Sequence, residues 1–216
     1  MGAEMIAIVD YKAGNLTSVK LAFEALGVET VVTRDPAVIA AADRVVFPGV
    51  GAAASAMANL RELGLVEAVK AAAHSGKPFL GICLGMQILF DHTEEDGGVD
   101  TLGIFHGQVK RFPASQWKVP EIGWNSVDIL GSAAGETHGL RLRRPDGLGS
   151  GGTGLGEYYF VHSYYAEVVP ETVLTTEYAG VTFTAMVKKG KLWACQFHPE
   201  KSGRLGLALL ADWLKL

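Results

Sequence analysis

One cysteine in this sequence stands in a setting that suits nucleophilic chemistry. In Phe79-Leu80-Gly81-Ile82-Cys83-Leu84-Gly85-Met86-Gln87 a short apolar run ends at Cys83, with glycines two positions before it and two after. The spacing G-x-C-x-G is that of a nucleophile elbow, in which a strand turns sharply into a helix and the reactive residue is held at positive φ. Glycine at the flanking positions lets strand and helix pass where a Cβ would clash. A thiol there faces unpaired amide N–H groups and the positive end of a helix dipole, both of which favour the thiolate. The Leu84 amide is then a candidate donor to an oxyanion. The other reading is a buried core cysteine, a common fate for an unpaired thiol.

A thiol nucleophile needs a base, and the base needs an orienting group. Gln196-Phe197-His198-Pro199-Glu200 supplies both. In extended backbone residues i and i+2 project to the same side, so the Glu200 carboxylate can fix the tautomer of His198 while the ring faces a sulfur. Taken alone, the same segment also reads as a surface His-Pro turn with a solvated glutamate. His162, in Phe160-Val161-His162-Ser163-Tyr164, is the rival base; it has no carboxylate close in sequence and is read as site lining or structural. Val45-Val46-Phe47-Pro48-Gly49-Val50-Gly51 ends in a glycine loop without the Lys-Ser/Thr of a phosphate-binding loop. At the end of a strand neighbouring that of Cys83, its amides become a second oxyanion donor, or else a plain turn. Neither H-x-x-x-H nor C-x-x-C occurs, so no metal site is expected, and Cys195 alternates with apolar residues as a core position does.

Over a hundred residues separate Cys83 from His198, so the elements between them must bring the two together. Up to residue 83, short β-branched runs alternate with amphipathic stretches: strands over Ile6 to Val9, Val28 to Val32, Arg44 to Phe47 and Phe79 to Ile82, and helices over Leu16 to Leu26, Pro36 to Ala42 and Ala54 to Ala73, the last split at Gly64. Repeated β-α-β with continuous apolar strands implies a parallel sheet covered on both faces. After about residue 100 extended runs dominate: Gly107 to Phe112, Ser126 to Leu130, Glu157 to Tyr165, Thr172 to Tyr178, and the hairpin Thr182 to Val187 with Lys191 to Phe197, before a closing helix over Arg204 to Leu214. The expected fold is α/β, a mixed, mainly parallel central sheet flanked by helices with an antiparallel C-terminal part, in one domain over residues 1–216. Gly131 to Gly156 holds nine glycines in 26 residues and the group Arg141, Arg143, Arg144, and is read as a surface loop.

Composition narrows the partners. With 216 residues, 49% hydrophobic and 19% charged, the chain can bury a substantial core and is not disordered. A net charge of −4 argues against nucleic acid or a lipid surface and in favour of a small polar ligand. No apolar run approaches the roughly 18 residues that span a bilayer. Two cysteines and no recognisable export leader make a cytoplasmic location the expectation.

Gly81-Ile82-Cys83-Leu84-Gly85-Met86-Gln87 together with Phe197-His198-Pro199-Glu200 resembles the class I (triad) glutamine amidotransferases, of flavodoxin-like fold. Asp10-Tyr11-Lys12-Ala13-Gly14-Asn15-Leu16, Pro48-Gly49-Val50-Gly51, Gly123-Trp124-Asn125 and Tyr159-Phe160-Val161-His162-Ser163-Tyr164 narrow the likeness to the glutaminase subunits of imidazole glycerol phosphate synthases. The resemblance implies that Cys83 attacks the carboxamide of L-glutamine to form a glutamyl thioester, that His198 serves the leaving ammonia and then water, and that Glu200 orients His198. It makes Gln87, Glu95, Ser163 and Tyr164 candidates to hold glutamine and the Val50–Gly51 peptide the switchable oxyanion donor, with no cofactor. It further implies a heterodimer with a (β/α)8 barrel cyclase that uses the ammonia to make imidazole glycerol phosphate and aminoimidazole carboxamide ribotide in histidine biosynthesis. Asn15 and Trp124 match positions at that interface, although Trp124 also reads as a core aromatic. Two departures stand out: Glu121 occupies a position where His or an aromatic is expected, and 131–156 is an insertion relative to shorter relatives. The alternatives are a glutaminase serving another synthase, of the anthranilate synthase type, and a reactive-cysteine protein of similar fold without amidase activity.

Overall fold

The computed structural model describes residues 4–114, 116–130 and 154–216. Its central sheet grows from β1 (Ile6–Val9), which lies between β2 (Thr30–Thr33) and β3 (Arg44–Gly49); beyond β3 come β4 (Phe79–Cys83) and, from much later in the chain, β13 (Leu192–Cys195). These five strands are parallel. Four antiparallel strands then extend the sheet: β12 (Val181–Lys189), β11 (Thr172–Tyr178), β8 (Glu121–Ile129) and β9 (Gly154–His162).

Strand alternation explains how both faces are covered. Ala7, Val9, Val45, Phe47 and Phe79 point to one face, where they meet Ile39 of α2 (Pro36–Ala41), Met57 and Leu60 of α3 (Ala53–Glu62), and Val69 of α4 (Val66–His74). Ile6, Ile8, Val46, Leu80 and Ile82 point the other way, onto Val19 and Phe23 of α1 (Leu16–Ala25) and Leu209, Leu210 and Trp213 of α6 (Gly203–Trp213). Gly64 divides α3 from α4 as the sequence indicates, at φ +64° with open space around it.

The departures from the sequence reading cluster in the second half. A second sheet in the order β10 (Tyr164–Ala166), β7 (Gln108–Arg111), β5 (His92–Thr93), β6 (Val99–Asp100) packs beside the first. The expected single strand from Glu157 to Tyr165 is two, β9 in the large sheet and β10 in the small one, with the change of sheet at Ser163. The expected strand over Ser126 to Leu130 begins earlier, at Glu121. Of the glycine-rich stretch, Gly154 to Gly156 opens β9, paired to Asp128 of β8 through Gly154, rather than a loop; 131–153, with Arg141, Arg143 and Arg144, lies outside the described residues. Among the described residues no helix is long and apolar enough to cross a membrane.

Candidate active site

Cys83 ends β4 at φ +54°, ψ −114°, the strained conformation of an elbow, and Leu84–Gln87 (α5) follows at once. The flanking glycines are there for space. A Cβ on Gly81 would stand 2.9 Å from the Cβ of Ala194, and one on Gly85 would run into the carbonyl oxygen of Phe47. One expectation does not hold: α5 is four residues long, a single turn, so it lacks the stacked peptide dipoles that make a strong N-terminal field. The sulfur takes its polar partners from neighbouring strands instead.

β13 brings the base. It pairs parallel to β4 with Cys195 opposite Ile82, so the chain leaves β13 at the edge of the sheet where β4 ends at Cys83. Three residues past Cys195 comes His198, whose amide donates to Tyr159 O at 2.9 Å and whose carbonyl accepts from the Ser202 hydroxyl at 2.7 Å. Its Nδ1 lies 2.7 Å from Glu200 Oε1, and both side chains are buried. Burial lowers the basicity of the imidazole, but hydrogen bonds to Cys83 and Glu200, reinforced by their charges, outweigh it and raise the His198 pKa to about 10. The sequence motif thus sets sulfur, imidazole and carboxylate in line; His198 and Glu200 are buried, so the surface-turn reading does not hold, while Cys83, 6% exposed, also packs in the apolar cluster on its face of the sheet.

Beside the sulfur lies a cavity of about 170 Å³ lined by Val50, Gly51, Cys83, Leu84, Gln87, Glu95, Pro120, His162, Ser163 and Tyr164. Every residue that the sequence reading named for glutamine or the oxyanion is on that wall. Gly49 is the register partner of Cys83 across β3 and β4, which sets the turn Val50–Gly51 beside the elbow, with Gly51 at φ +97°. Glu95 is half-buried, and its Oε2 accepts the Ala53 amide at 2.7 Å. Burial raises its pKa, the Ala53 bond opposes the rise, and Asp96 adds to it. Among the described residues no cluster of three or more His, Cys, Asp or Glu side chains could hold a metal ion.

A family model described as "Glutamine amidotransferase class-I" matches residues 7–215. The chain belongs to the class-I glutamine amidotransferases. It is 47% identical to the imidazole glycerol phosphate synthase subunit HisH of Desulfovibrio desulfuricans over 97% of this chain and 93% of that one, and 47% identical to the subunit of the same name from Moorella thermoacetica over 98% and 94%. Among solved structures, PurLQS from Thermotoga maritima aligns over 99% of both chains with a TM-score of 0.71 at 15% identity, a likeness of fold.

In this amidotransferase two residues assigned to a partner surface lie in different settings. Trp124 is 54% exposed and edge-on to Tyr159, not a core aromatic. Asn15, at φ +66°, sends its side-chain amide inward to Glu200 Oε1 at 2.6 Å, so it braces the same carboxylate oxygen that faces His198. Two further relationships were out of reach of the sequence reading. His162 does have a carboxylate: Glu121, its register partner on β8, places Oε2 3.0 Å from Nε2, while Nδ1 lies 2.8 Å from Tyr164 O. Nδ1 is hydrogen-bonded, whereas Nε2 and Glu121 Oε2 lie close as an ion-pair contact without hydrogen-bond geometry. Glu121 is buried at 3% exposure against His162 and the Asn125 amide. Gln196 is the second omission: its Nε2 donates to Cys83 Sγ at 3.7 Å.

Proposed function

We propose that this chain is the glutaminase subunit of an imidazole glycerol phosphate synthase, hydrolysing L-glutamine to glutamate and ammonia at Cys83. The observation that carries the reading is the buried His198–Glu200 pair beside Cys83, which itself lines a cavity of about 170 Å³. The Cys83 sulfur attacks the carboxamide carbon, and the carbonyl oxygen becomes an oxyanion that the amides of Leu84 and of the Val50–Gly51 turn receive. His198, held protonated by its partners, gives its proton to the nitrogen as the C–N bond breaks, leaving ammonia and a glutamyl thioester. The now neutral ring takes a proton from water. That water attacks the thioester, the C–S bond breaks, and glutamate leaves.

Glu200 holds His198 in one tautomer, and Asn15 holds Glu200. Glu95, whose side chain lines the cavity, faces the α-ammonium of glutamine, and Ser163 and Tyr164 line the remainder with Gln87. Both N–H groups of Gln87 are spent within the protein, so its contribution to glutamine is a wall and an acceptor, not a donor. No cofactor takes part. Ammonia passes to a (β/α)8 barrel cyclase bound as a heterodimer partner in the cytoplasm, which forms imidazole glycerol phosphate and aminoimidazole carboxamide ribotide. The relatives named as synthase subunits support this choice over an anthranilate-type partner.

The test is ammonia and glutamate release from glutamine by the chain mixed with such a cyclase and its ligand. Cys83→Ala is expected to abolish release by at least a thousandfold while the far-ultraviolet spectrum stays that of the parent. Residual hydrolysis by the alanine variant within tenfold of the parent would remove Cys83 from the mechanism.

A further inference from the structure

The one-turn helix after Cys83 gives its sulfur little N-terminal field. A chain of two amides supplies a donor instead. Gln87 Nε2 donates one hydrogen to Tyr164 O at 2.7 Å and the other to Gln196 Oε1 at 2.8 Å. Since a side-chain amide has one donor end and one acceptor end, fixing the Gln196 oxygen on Gln87 fixes its nitrogen on the opposite side. That nitrogen points at Cys83 Sγ, 3.7 Å away. Gln196 is fully buried, with no solvent contact that could replace the bond, and Gln87 is 5% exposed on the cavity wall.

We propose that Gln196 is a positioning residue for the nucleophile: locked in one orientation by Gln87, it aims an N–H at the Cys83 sulfur and stabilises its thiolate. A thiolate is a far better acceptor than a thiol, so a donor held in place selects the charged form. The same bond restricts the sulfur to the rotamer that faces the cavity. Gln87 acts one step back: its role is to prevent the Gln196 amide from turning its oxygen, an acceptor, to the sulfur. This rests on the proposal that Cys83 is the nucleophile, but its first readout is the thiol itself.

The other groups around the sulfur are the Val161 carbonyl, to which the thiol donates at 3.8 Å, His198 with Glu200 beyond it, Tyr11, Cys195, and, across the cavity, Glu95 and His162. All remain in the two variants that test the proposal, so a difference from the parent reports the amides. The measurement is the rate of Cys83 alkylation by iodoacetamide as a function of pH on the full chain; both cysteines are buried, but Cys83 lines the cavity whereas Cys195 has no exposed surface. Gln196→Met keeps the volume and removes the donor; Gln87→Met keeps Gln196 and adds no charge, but removes the N–H that holds the Gln196 oxygen, so the amide is free to turn. Both are expected to raise the pH midpoint of alkylation by about one unit, and Gln196→Met to lower kcat for glutamine about tenfold with KM within threefold of the parent. A midpoint unchanged in both variants overturns the proposal. So does a shift in Gln196→Met with none in Gln87→Met, since the locking of the amide is then absent. If Gln196→Met does not fold, Gln87→Met alone decides by the same midpoint. Failure of the parent to hydrolyse glutamine with the cyclase, alongside the expected midpoint shifts, would count against the glutaminase reading and leave this one standing.

Discussion

At Glu200 a single carboxylate oxygen meets both the His198 ring and the Asn15 amide, 2.7 and 2.6 Å away. The imidazole it orients has its pKa raised to about 10, so His198 binds a proton more tightly in the folded chain than in the unfolded one. That difference stabilises the fold fully below about pH 6.5, the ordinary histidine value, and the stabilisation is lost as pH rises through about 10. Denaturant unfolding is therefore expected to show parent stability falling from pH 7 to pH 10, and His198→Gln is expected to flatten that part of the profile. A parent curve whose slope His198→Gln does not alter would mean that the ring is neutral in the fold. Cys83, His198 and Glu200 were legible from residue types and spacing because elbow and i, i+2 geometry are local. Gln196 and Glu121 were not, because each meets its partner across strands whose register the sequence does not state.

The elements act through close approach. β4 and α5 pass the end of β3 so tightly that Gly85 has backbone where a side chain would begin, and Gly49 opposite Cys83 lies against the Tyr11 hydroxyl. Burial, and then the neighbouring Cys83, push the Tyr11 phenol far up, so that hydroxyl stays neutral beside the elbow. Gly85→Ala is expected to cost about 3 kcal/mol or more by overpacking against the Phe47 carbonyl, read as a shift in the denaturant midpoint. Gly64→Ala, where φ is positive but space is open, should cost only about 1–2 kcal/mol. Equal costs would show that strain, not crowding, governs the elbow. The parallel strands and their helices follow from apolar runs and periodicity. By contrast β5 and β6, two residues each, are too short to show alternation, and the change of sheet at Ser163 interrupts a run that reads as continuous.

For the whole molecule, the site opens near a surface that no part of the described chain covers. Ile122 and Trp124, 63% and 54% exposed, follow Glu121 on β8, whose other end of the pairing, His162, lines the cavity. On the proposed function, Ile122 and Trp124, exposed beside a buried Glu121 at the cavity end of β8, suit a cyclase that docks over the site. Trp124→Ala is expected to weaken binding of the cyclase at least tenfold by titration calorimetry and to leave the melting temperature of the isolated chain within a degree or two. A lower melting temperature with unchanged binding would return Trp124 to a structural role.

The sequence by itself determined the parallel half of the sheet, the elbow with its glycines, and the pairing of His198 with Glu200, since each depends on neighbours a few residues away and on side-chain periodicity. Only the tertiary structure decided that β13 inserts beside β4, which carries His198 to Cys83, and that β8 and β9 align Glu121 with His162. Those are choices of strand order and register. They follow from how the whole core packs, and a one-residue slip in either strand would turn the same side chains to the opposite face.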